Sequence, residues 1–169
     1  MQFENLYQEL VHGAEIIHAL LKGVTQTEAR FKPDPETWSI LEVVCHLYDE
    51  EREDFREHLD AILNRPTDPW KEIDPQAWVT ARGYNERDLA EMLENFLAER
   101  KQSLAWLKGM ASPDWEFVYT NPFGSMKAGE MFAAWVAHDN LHIRQLVELR
   151  YGRIVRLAEP YDVGYAGEW

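Results

Sequence analysis

Three histidines carry the most chemistry in this chain. His138 and His142 stand four residues apart in Ala-Trp-Val-Ala-His-Asp-Asn-Leu-His-Ile-Arg-Gln, and His46 closes the run Trp-Ser-Ile-Leu-Glu-Val-Val-Cys-His. On a helix, that spacing of four stacks two imidazoles on one face, within reach of a single ion. If His46 packs alongside them, three neutral nitrogens leave at least one coordination position open, as in catalytic rather than structural metal sites. Met131, Ala134, Trp135, Leu141, Gln145 and Leu149 share the face of His138 and His142, so both histidines point inward. The helix alone leaves two readings open: a metal-binding pair, or two core histidines that each hydrogen-bond a separate partner.

His46 fits less easily. Measured from the stripe Val44, Phe55 and Ile62, it points about 160° away, toward Glu42, Asp49 and Glu53. Yet Ile40 to Leu47 is apolar nearly all round, which allows that end of the helix to be buried on every side. His12, His18 and His58 lack such a setting and read as structural or surface residues. Glu50, one turn beyond His46, and Asp139, beside His138, can orient a ligand or act on an activated water. Their plainer reading is as solvated acids. Cys45 adjoins His46 but points about 100° from it, so a buried, inert thiol is expected.

Four long helical patterns must position these residues. The first runs from about Gln2 to Lys22 and ends at Gly23. A capping box, Ser39 with Glu42, opens the second, which Asn64-Arg65-Pro66 stops. A long connection, Thr67 to Tyr84, precedes a third helix that starts between Asn85 and Asp88 and ends near Gly109, with Leu89, Leu93, Phe96, Leu97, Leu104 and Leu107 as its stripe. After a loop from Ala111 to Ser125, the fourth spans about Lys127 to Arg150, with Gly152 as its stop. Tyr161, Tyr165 and Trp169 predict a docked tail. The expectation is one all-α domain over residues 1–169, a four-helix bundle.

Composition narrows the partners. A net charge of -13 with no basic patch disfavours nucleic acid and anionic membranes. No apolar run is long enough to span a bilayer and no signal peptide is visible, while the one cysteine fits a reducing cytoplasm. Seven tryptophans suggest a large aromatic core or an aromatic-lined pocket. Phosphate loops, dinucleotide fingerprints and nucleophile elbows are absent from the sequence.

With these pieces in order, the chain resembles the DinB-like superfamily of metal-binding four-helix bundles, which includes the YfiT-like proteins. Trp38 to Leu47 is similar to that family's second-helix motif, and His138-Asp-Asn-Leu-His142-Ile-Arg-Gln145 to its last-helix motif. Pro69-Trp70, Trp78, Tyr84 to Leu89 and the loop before Met126 add to the likeness, which covers nearly the whole chain. The resemblance implies a divalent metal, usually zinc or nickel, held by His46, His138 and His142, with Gln145 supporting a ligand. It also implies a low-molecular-weight thiol as partner, such as bacillithiol, mycothiol or glutathione, transferred to a small electrophilic substrate. The leading expectation is therefore a metal-dependent thiol S-transferase, with Trp70, Trp78, Trp115 and Phe123 on loops that shape its pocket. Hydrolysis of a small amide or ester is the alternative enzyme, and a stress-related bundle stabilised by metal the non-catalytic one. A homodimer through an exposed helical face is compatible with all three.

Overall fold

Hydrophobic stripes and capping side chains set the helix starts. The computed structural model describes residues 2–121 and 124–167; Phe123 and Trp169, named above, lie outside them. Helix α1 (Phe3–Leu21) buries Tyr7, Leu10, Ala14, Ile17 and Leu21, and Gly23, at φ +79°, turns the chain after it. A short α2 (Gln26–Ala29) follows behind a Thr25/Glu28 capping box. Helix α3 (Ile40–Glu50) opens with the expected box: Glu42 N–H donates to Ser39 Oγ at 3.1 Å and Ser39 N–H to Glu42 Oε2 at 2.8 Å. It continues through a π-helical turn (Glu51–Phe55) into α4 (Arg56–Asn64), giving one long, dislocated helix.

The long connection contains α5 (Pro75–Ala81), capped by Asp74, and a 3-10 turn at Tyr84–Glu86. Helix α6 (Leu89–Gly109) starts behind Asp88, whose carboxylate accepts the Glu91 N–H at 2.9 Å. The loop expected between the third and fourth helices is in part a hairpin of β1 (Val118–Asn121) and β2 (Gly124–Lys127), antiparallel with Tyr119 opposite Met126. Helix α7 (Ala128–Ala158) runs well past the expected end near Arg150. Gly152 does not stop it because arginines fasten the last turns to the neighbouring elements. Arg150 donates to the Leu20 carbonyl, Arg153 pairs with Glu28, and Arg156 lies over the Phe31 ring at 3.8 Å. The tail does not dock as expected: Tyr161 is 80% and Tyr165 105% exposed.

Helices α1, α3–α4, α6 and α7 form the bundle, with α3 against α6 and α1 against α7. Two apolar clusters fill it. One gathers Ile17, Leu41, Val44, Phe96 and Leu146; the other gathers Leu10, Leu59, Leu107, Phe132 and Trp135. On every bundle helix the residues between the clusters bring buried polar groups inward: Glu51, Arg100 and Asp139, with the Leu10 carbonyl. No helix among the described residues is long and apolar enough to cross a membrane.

Candidate metal centre

The π turn resolves the awkward phase of His46. Nine regular steps separate it from Phe55, which puts the two about 180° apart; one extra residue in the turn takes about 100° off that angle. Both rings therefore reach His138, with centroids 5.2 Å away for His46 and 4.8 Å for Phe55. Every residue from Ile40 to Leu47 is buried, so the histidine is enclosed rather than exposed.

The three imidazoles converge tip to tip. His46 Nε2 lies 3.2 Å from His138 Nε2, and His142 Nε2 lies 3.1 Å from that same atom. Gln145 Oε1 is 2.8 Å from His142 Nδ1, so Nδ1 donates and Nε2 of the neutral ring presents a bare lone pair. His138 Nε2 can carry one proton at most. Hydrogen bonding can thus satisfy only one of the two Nε2–Nε2 contacts, whereas a cation at their junction satisfies all three lone pairs. Burial, then the neighbouring imidazoles, pushes the His46 pKa down to about 2. Burial first and His142 second push His138 down to about 3, and burial lowers His142 too. Such rings offer their lone pairs without first losing a proton.

Glu50 stands beside this junction. Its carboxylate is 3.9 Å from His46 Nδ1 and 4.0 Å from His138 Nε2, and both Glu50 Oε1 and His46 Nδ1 are buried without a hydrogen-bond partner. Burial, with Asp54 and Asp49 nearby, pushes its pKa up to about 9. Unpaired buried polar atoms are uncommon and mark a place where something else belongs. The donor set, three neutral nitrogens with a carboxylate alongside, suits a borderline divalent ion such as zinc or nickel.

A family model described as the DinB superfamily matches residues 9–146. The chain belongs to the DinB superfamily. Among solved structures, this DinB-superfamily chain is similar to YfiT from Bacillus subtilis, described as a probable metal-dependent hydrolase with an unusual four-helix bundle topology. That likeness has a TM-score of 0.78 at 18% identity and covers 89% of this chain and 88% of that one, which establishes the fold. No curated protein matches the sequence.

The remaining expected residues divide. Gln145 meets His142, and Glu50 meets the histidines, but neither Glu50 nor Asp139 is a solvated acid: each is 4% exposed or less. Both oxygens of Asp139 bind Arg100, at 2.6 and 2.9 Å, rather than turning to the histidines. Asp139 also sits so close to α1 that a Cβ on Gly13 would lie 2.4 Å from its Oδ2. Cys45 is buried as expected; desolvation, then Asp49, pushes its thiol up to about 12. His58 is not a surface residue. It is 1% exposed, stacks on Trp70 at 3.9 Å, and bridges Asp54 to the Lys71 carbonyl.

An open cavity of about 630 Å³ exposes the histidine tips. The loop tryptophans do not form it. Trp70 stacks on His58, Trp115 packs on Phe3 and Phe132, and Trp78 lies under Arg82. Trp38 lines it instead, with its ring centroid 4.9 Å from His46 and 6.4 Å from His142. Its sequence signal was its place just ahead of the Ser39 cap, which ties it to the start of α3.

Proposed function

We propose that this protein is a metal-dependent hydrolase of a small amide or ester. The observation that carries the reading is the junction of three Nε2 atoms beside a buried, unpartnered Glu50 carboxylate, at the floor of an open cavity. His46, His138 and His142 would hold the ion, and the Nδ1–H bond to Gln145 fixes the orientation and tautomer of His142. A divalent ion bound there supplies Lewis acidity to a carbonyl and makes water nucleophilic near neutral pH. With the charge of a bound ion offsetting the burial that raises its pKa, Glu50 would take a proton from the water and return it to the leaving group. The Trp38 ring packs beside His46 and His142 at the cavity wall.

Thiol transfer to an electrophile is the second reading. It is favoured by a cavity large enough for two small molecules, since such volumes commonly bury a whole drug-sized ligand. Metal content measured by mass spectrometry on wild type, His46→Ala and His138→Ala tests the shared foundation. About one ion per chain, lost in both folded variants, supports it; no uptake of zinc or nickel refutes it. Turnover of an ester or amide panel without thiol then favours hydrolysis, and turnover only with thiol favours transfer.

A further inference from the structure

The wall of the cavity is chemically one-sided. Besides the histidines, Glu36, Thr37, Trp38, Gln76 and Glu50 line it. Among the described residues no arginine or lysine lines it, although the chain has 17. The loop carrying Glu36 is held in place by Asp34, whose Oδ1 accepts the Glu36 and Thr37 N–H groups at 2.9 Å each. Its Oδ2 accepts the Thr37 hydroxyl at 2.5 Å. Asp34 is therefore used by the loop, whereas Glu36, which lines the cavity, forms no salt bridge among the described residues.

We infer that this site selects a substrate carrying an ammonium or similar cationic group, received by Glu36 and the Trp38 ring. The inference rests on the metal reading and names the class of molecule it serves. An indole ring attracts a cation lying within about 6 Å of its centroid, and a carboxylate beside it adds a charged partner. The field of a chain at net charge -13 works in the same direction, concentrating cations at the mouth and repelling anions. A carboxylate-bearing molecule, including the anionic low-molecular-weight thiols, meets like charge at Glu36.

Three hydroxamates of equal length test this: hexanohydroxamate ending in an amine, in a methyl group or in a carboxylate. Each is titrated calorimetrically into zinc-loaded wild type and zinc-loaded Glu36→Gln, a substitution at an exposed loop position. The expected order is amine, methyl, carboxylate, with about fivefold in Kd per step, the size of a partly exposed charge pair. Glu36→Gln and added salt both compress that series. Equal binding of all three, or tightest binding of the carboxylate, overturns the inference and leaves the metal reading standing. A zinc-loaded protein that binds none of the three overturns the inference alone, and failure to take up zinc overturns both.

Discussion

Two buried polar clusters meet on α7 at adjacent residues, His138 and Asp139, and they differ in how completely their groups are paired. Around Arg100 all five N–H donors are used: three bonds of 2.8–2.9 Å reach Glu51 and the Leu10 carbonyl, and two reach Asp139. Trp135 Nε1–H adds a bond to Glu51 at 3.0 Å. Burial opposes the guanidinium charge, but the flanking carboxylates outweigh it and raise its pKa. Around the histidines the opposite holds: lone pairs face one another and two buried atoms lack partners. The first cluster ties α1, the π turn, α6 and α7 together. The second is incomplete as protein alone, which is the state expected of a ligand site.

Arg100→Leu should have the largest effect. It leaves the Glu51 and Asp139 carboxylates buried without a counter-charge, a change that typically destabilises by about 3–5 kcal/mol, read as a lower urea midpoint. His138→Ala should cost far less in metal-free protein, because it relieves a lone-pair contact rather than breaking a satisfied one. If the two variants lose equal stability without metal, the contrast between the clusters is wrong.

Zinc or nickel loading comes next. Free ion at a hundred times its Kd should stabilise wild type by about 2.7 kcal/mol, seen as a rise in Tm, and His138→Ala should lose the whole increment. Gln145→Leu should weaken metal binding about 10- to 100-fold while leaving metal-free stability nearly unchanged. A Gln145→Leu protein that binds zinc as wild type does would show that the His142–Gln145 bond orients nothing. The smallest effect concerns Cys45. Its folded pKa is raised from 9.0 to about 12, so stability is unaffected below about pH 9 and declines as pH rises toward 12. At pH 8 the folded protein should resist alkylation at Cys45, which urea should expose.

The two clusters were not equally legible in the sequence. The His138/His142 pair could be found because four residues on an α-helix return to the same face, and nothing interrupts α7 there. His46 could not be placed by a wheel of constant pitch, because the π turn breaks the phase between it and Phe55. Only the apolar surroundings of Ile40 to Leu47, and the family resemblance, pointed inward. The Arg100 cluster was missed although its signal was present. Phe96, Arg100, Ser103 and Leu107 form the buried face of α6, displaced from the Leu93, Leu97 and Leu104 edge on which the expected stripe leaned. A cation on an apolar face requires buried carboxylates from other helices, and no local pattern says which. The seven tryptophans likewise point to a large aromatic core or an aromatic-lined pocket, and Trp70 and Trp115 are absorbed by the second apolar cluster.

The turn at Glu51–Phe55 makes the number of residues in that helix a setting of its own. Deleting any one of the five would restore regular pitch and rotate the upstream half by about 100° relative to the downstream half. His46 and Glu50 would swing away from His138, or else Phe55 and Leu59 would leave the second apolar cluster. No substitution reproduces such a change, because it leaves the number of residues in the turn unaltered. In this chain, single-residue insertions and deletions between Glu50 and Arg56 should be far less tolerated than point changes at the same positions.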